Sequence, residues 1–196
     1  MERHRSTAQK HSLAAMTTSW LLPIVTLAVA SSSGAALAIQ LQKYSELHAL
    51  ISVTTAVFLV TVSLLLTFTI LAIYILRMIV HGLPPGPQIL SLCLPLGPIS
   101  QSGYAILHIG RSFRLLLPLD HGKSGFLRSH FTADIIRAIC VSTAFLLWSI
   151  SCMCLIFAIL GIQKIVRQAR FPVRLPFWGV VFPHVSFSEA LGRFLK

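Results

Sequence analysis

Charged residues cut this chain into apolar blocks. No Asp, Glu, Lys or Arg occurs in residues 11–42, 47–76, 78–110 or 138–163, and a shorter clean run covers 175–188. A helix that crosses a bilayer needs about 20 apolar residues. The pattern therefore predicts four full spans and one short one, at about 19–39, 49–76, 88–109, 138–162 and 175–194. A polar N-terminal segment, 1–18, precedes them. The fold class that follows is all-α and integral to a lipid bilayer.

Proline marks every other span. Pro23 lies in the first, Pro95 and Pro98 in the third and Pro183 in the fifth, while the second and fourth have none. A proline inside a helix deletes one hydrogen bond and crowds the preceding turn. In hydrocarbon such a break survives only beside protein or a wet cavity. The alternation predicts helix hairpins with one kinked and one straight member, and repeats of broken helices are typical of transporters. A break at Pro95-Leu96-Gly97-Pro98 thus points to a path through the membrane.

Helical phase refines this. In the first span Ser19, Pro23, Thr26, Ala30, Ser33 and Gly34 share one face, with the bulkier Leu, Ile and Val elsewhere. Small residues let membrane helices approach closely, and close packing is the favoured reading of this stripe over a pore lining. Ala36-Leu37-Ala38 imitates a signal-peptidase site, but the charge-free run is as long as a true span, so a retained helix is expected. The second span is apolar all round, with Thr and Ser able to bond back to their own helix, and reads as partly lipid-facing. In the third, Ser91, Pro95, Pro98 and Ser102 form one line and Gly97, Gln101, Tyr104 and His108 the next. That polar half either bonds to neighbouring helices or faces a conduit, and polar residues at membrane depth favour the conduit.

Composition narrows the chemistry. The chain is 55% hydrophobic and 11% charged, and its net charge of +11 sits mainly between the spans. Lys and Arg there are expected as membrane anchors, and no motif or aromatic–basic platform points to nucleic acid. Both sides of the membrane receive similar numbers of them, so charge alone leaves orientation open. Cys93, Cys140, Cys152 and Cys154 all fall in apolar spans without a nearby His at ligand spacing. They read as packing residues rather than as a metal site. The charge-free blocks hold no carboxylate and no nucleophile–base motif, so neither a catalytic residue, an enzymatic activity nor a cofactor is expected. They also hold no Lys or Arg, so a small anion would be held only weakly, by backbone at the proline breaks and by Ser and Gln donors. Weak multi-point binding suits a conduit.

Several blocks then carry a family resemblance: Trp20-Leu21-Leu22-Pro23-Ile24-Val25, 83-LPPGP-87, 94-LPLGPISQSGYAILHIG-110 and 177-FWGVVFP-183. They resemble successive signatures of the tellurite-resistance/dicarboxylate transporter family, also called the voltage-dependent anion channel family, and within it those of the fungal sulfite efflux pumps. The resemblance implies ten helices arranged as five hairpins around a pore, with the odd-numbered helices kinked and inside. The five spans here would correspond to helices five to nine of that scheme. It further implies a pore-blocking residue at Phe182; with the prolines and polar faces read above, the pore-lining candidates are Pro23, Thr26, Ser33, Gly34, Pro95, Gly97, Pro98, Gln101, Ser102, Tyr104 and Pro183. The chain departs from the family pattern at Val181, His184, Val185 and Ser102, and keeps a single Trp, Trp178, where the pattern has a pair. The implied activity is passage of a small anion, sulfite first and malate-like dicarboxylates second, at the plasma membrane, with a homo-oligomer left open. The competing expectation is a partial chain that inserts without conducting, or that partners a full-length relative.

Overall fold

The computed structural model describes residues 21–82, 93–117 and 129–166, with positions 185, 188 and 192 singly. Four helices account for nearly all of them: α1 (Leu22–Leu41), α2 (Glu46–His81), α3 (Leu96–Leu116) and α4 (His130–Val166). No strand occurs among the described residues. The segment 1–18 and the core of the fifth expected span, with Phe182 and Pro183, lie outside them.

Three of these helices are long and apolar enough to cross a membrane, over Leu22–Leu41, Glu46–Val80 and Phe131–Gly161. The protein is an all-α membrane protein. Both straight helices run past the expected spans, because hydropathy locates only the part matched to hydrocarbon. At 1.5 Å per residue, the 36 residues of α2 extend about 54 Å, well beyond a core about 30 Å thick. Glu46 and Arg77, which end the charge-free run, are simply further turns of the same helix.

α3 differs more. It begins eight residues later than the expected third span and continues through Arg111 and Arg114. Pro95 is its N-cap and Pro98 its third residue, while Pro23 is the second residue of α1. In a first turn the N–H that proline lacks has no helical partner anyway. Among the described residues, these prolines therefore start helices rather than interrupt them.

Gln42–Ser45 join α1 to α2 in a tight turn, which makes the pair antiparallel. From the N-cap Leu21, the buried seam of α1 against α2 runs through Ile24, Ala28, Ser31, Ala35 and Ala38, with Ser32 buried beside it; buried positions of α2 include Ala49, Val53, Ala56, Val60, Ser63 and Thr67. On both helices the steps alternate between three and four, the spacing of a coiled-coil seam. Ala144, Leu147, Ser151, Cys154 and Ala158 continue the same rule on α4. Most of these side chains are small, so the backbones lie close. Cys93 and Cys154 are buried and Cys140 and Cys152 half-buried, all as free thiols.

This seam corrects the packing expectation for α1. Pro23, Thr26, Ala30 and Ser33 face outward, and only Gly34 of that stripe is partly covered. Both faces of α1 are rich in small residues, and α2 settles on the one with Ser31 and Ala35.

α3 packs against α1, α2 and α4 at once, and fifteen of its residues are buried. The fit against α4 needs glycine. A Cβ on Gly110 would stand 2.8 Å from the Cys140 Cβ, closer than real Cβ atoms approach, whereas one on Gly103 would meet Leu147 Cβ at an ordinary 3.6 Å. At the far end of α2, Gly82 has φ 74° and caps the helix through its N–H to the Met78 carbonyl. Glycine is the residue that turns there without strain.

Candidate functional site

The third span is expected to set a polar half against an apolar one, but α3 is buried nearly all round, Leu96, Ile99 and Ile106 of the apolar half included, and Tyr104 of the polar half is only half-buried. Gln101, Ser102, His108 and Ser112 of α3 are all buried. α3 is absent from the helices apolar enough to span alone, and a helix of this polarity is sheltered by its neighbours instead.

The contacts are specific. The Gln101 Nε2 donates to Ser32 Oγ of α1 at 2.8 Å, and that hydroxyl donates onward to the Val29 carbonyl at 2.9 Å. Ser112 Oγ donates to the carbonyls of Ala35 and His108, both at 2.9 Å. Near the α1–α2 turn, Gln42 Nε2 donates to the Leu115 carbonyl at 2.6 Å. Ser31, Ser52 and Ser63 tie α1 to α2, their hydroxyls donating to the Ala56, Gly34 and Ile24 carbonyls respectively. Each bond fills a carbonyl or hydroxyl valence where water is scarce, so together they fix the register of three helices.

Three buried hydroxyls stand outside this network. Thr67 Oγ1 of α2, Ser102 Oγ of α3 and Ser151 Oγ of α4 have no hydrogen-bond partner. Tyr104 meets His108 edge-on, ring centroids 4.6 Å apart. Along α3 only a strip through Tyr104, Leu107 and Arg111 stays open, leading to exposed Arg114 and Leu115.

The candidate lining residues thus divide between two environments. Pro95, Gly97, Pro98, Gln101 and Ser102 are buried between helices, and Tyr104 is half-buried at the open strip. Pro23, Thr26 and Ser33 are exposed on α1, with Gly34 half-buried against α2. Thr26 Oγ1 donates to the Pro23 carbonyl at 2.6 Å, which holds the first turn together. The α3 group and the α1 group do not share one surface. Phe182 and Pro183 lie outside the described residues.

Outward faces elsewhere are of another kind. α2 exposes Ile51, Phe58 and Leu65, and α4 exposes Ile139, Leu146, Ile156 and Leu160. Their exposed threonines, such as Thr54, Thr61 and Thr69, donate back to the carbonyl four residues earlier. These faces suit lipid. The stripe on α1 contains small and hydroxyl-bearing residues instead, beside Leu22 and Leu37.

Ser32, Ser112 and Arg77 escaped the sequence reading. The run Ser31-Ser32-Ser33 holds a usable signal, since three consecutive serines point in three directions and one must meet a neighbour in any packing. Removing the Ser32 acceptor leaves the Gln101 amide short of a partner in the bundle. Ser32→Ala is expected to lower stability by about 1 kcal/mol, read as the thermal midpoint in detergent. Gln101→Met in the same background should add little, because the amide would then no longer be stranded.

The voltage-dependent anion channel family matches residues 3–195 of this chain. The sulfite efflux pumps of Arthroderma benhamiae and Trichophyton rubrum are each 30% identical to it over 190 residues, covering 97% of this chain and 46% of theirs. That of Candida albicans is 27% identical over 182 residues, 86% of this chain and 35% of the pump. The chain therefore spans about half the length, or less, of these curated relatives. No solved structure matches it.

Proposed function

Because the chain belongs to the voltage-dependent anion channel family, we propose that it forms part of a membrane path for small anions, with sulfite the first substrate and C4-dicarboxylates the second. One observation carries the reading beyond family membership. The polar helix α3 is held within the bundle, whereas α2 and α4 turn bulky apolar faces outward. That is the layering of a conduit wall: polar elements within, lipid-facing elements without.

In this reading the path runs along the open face of α1, beside Thr26 and Ser33. Pro95, Gly97, Pro98, Gln101 and Ser102 set the shape of the wall from behind rather than touching the ion. Phe182 is the gate, next to Pro183, and the plasma membrane is the site of action. Selection rests on neutral donors and on basic residues at the rims, which suits an ion that must also leave. No enzymatic step is part of this role.

The test is expression in cells deprived of their own sulfite exporter, with the protein's presence in the membrane confirmed. Sulfite efflux above the empty-vector level is expected, and Phe182→Ala is expected to raise it further by opening the gate. Membrane-inserted protein with no efflux would count against conduction by this chain. Efflux unchanged by Phe182→Ala would remove the gate and leave the path.

A further inference from the structure

The buried seam of α2 does not stop at the last apolar residue. Beyond Thr67 it continues through Leu71 and Tyr74 to Arg77, which is only 7% exposed. The Arg77 Nε has no hydrogen-bond partner. Among the described residues the two carboxylates, Glu46 and Asp134, both belong to the opposite end of the bundle. Glu46 begins α2, about 46 Å along the helix from Arg77. Asp134 sits against Arg114, at 3.5 Å, near the Leu115 carbonyl that Gln42 binds. Neither can neutralise Arg77.

A buried guanidinium without a carboxylate is costly, because its desolvation is not offset by a partner. Its depth says what could offset it. The hydrogen bonds Ser31–Ala56, Ser52–Gly34 and Ser63–Ile24 keep α1 and α2 in one antiparallel register. In that register the start of α1 is level with about Leu65, and Arg77 lies about 18 Å further on. If α1 crosses the hydrocarbon, Arg77 stands outside it, at one mouth of the bundle, and is nevertheless covered by protein.

We infer that Arg77 is an oxyanion-binding residue at that mouth, occupied by the small anion that the proposed path carries; the inference rests on that path only for the identity of the ligand. A guanidinium offers a planar fork of N–H donors matched to two oxygens of one anion. Binding supplies the missing counter-charge and the missing acceptor together. The same chemistry could come from a lipid headgroup, but burial of Arg77 within protein favours a small free ion.

The experiment is a thermal-unfolding titration of the purified chain in detergent, against sodium sulfite, sodium chloride at matched ionic strength, and an anionic phospholipid. Sulfite is expected to raise the midpoint saturably, with a smaller response to chloride. Arg77→Met is expected to raise the midpoint without any anion, since the uncompensated charge is gone, and to abolish the sulfite response. Arg77→Lys, which keeps the charge and loses the fork, should need at least about tenfold more sulfite for half-maximal effect. A merely structural arginine would give the reverse for Arg77→Met, a lower midpoint with the sulfite response intact, and that result overturns the inference. So does stabilisation of the wild type by phospholipid but not by sulfite. Sulfite binding lost in Arg77→Met, together with no efflux from wild-type cells, would keep the site and reject the path.

Discussion

Gly110→Ala is expected to lower the thermal midpoint of the protein sharply, by the equivalent of about 1–3 kcal/mol. The added methyl would stand 2.8 Å from the Cys140 Cβ and 3.3 Å from its sulfur, with the Arg137 Cα 3.7 Å away. Two backbone-fixed carbons cannot share that space, so α3 and α4 must move apart. Separation at this crossing loosens packing along the whole seam, including Leu147 against Gly103. Suppressor choice makes the test specific. Cys140→Ala keeps the offending Cβ and should not rescue; Cys140→Gly removes it and should recover most of the loss. If Gly110→Ala unfolds at the wild-type midpoint, or if both suppressors act alike, the close approach described here is wrong.

Gly110 also shows where sequence stops short. It stood within the most distinctive motif of the chain, yet nothing local separates it from Gly97 or Gly103. What singles it out is Cys140, thirty residues away on another helix. Helix existence was readable because a charge-free run of adequate length has few alternatives in a bilayer. Helix limits were less so, since Arg111 and Arg114 bound the apolar block without ending the helix. The prolines misled for a related reason. Proline suits both a kink and a first turn, and only the position of the helix start separates the two. On α1 the periodicity was right and the phase was not: two neighbouring faces are both small, and the choice belongs to α2. The polar residues of α3 were legible in composition, whereas the bond from Gln101 to Ser32 spans 69 residues and depends on how α1 and α3 pack. Of the proposed path, therefore, the sequence marks which helices are involved. The packing decides which side chains are left open to line it.

The open side of α1 can be tested against a neighbour at the same depth. The α1–α2 register sets Ala30 level with Val57 and Phe58. Phe58 is 66% exposed on the apolar outer face of α2, and Ala30 is exposed within the hydroxyl-bearing stripe. Consider single cysteines at Ala30 and at Phe58, in a chain whose four native cysteines are alanine. A thiol reacts with a charged, water-soluble reagent only as thiolate, and a thiolate does not form in hydrocarbon. If α1 borders an aqueous path, the cysteine at position 30 should be modified faster by on the order of a hundredfold, and so should one at Ser33. Added sulfite should slow the reaction at both α1 positions and leave position 58 unchanged, since ion and reagent would compete for one space. Equal and slow modification at all three positions would mean that the stripe meets lipid or another helix. The path would then have to be sought on the α3 side, along Tyr104 and Arg111. Depth, helix type and residue size cannot produce the predicted difference, because Ala30 and Phe58 share the first two and both become cysteine. What remains different is whether water reaches the side chain.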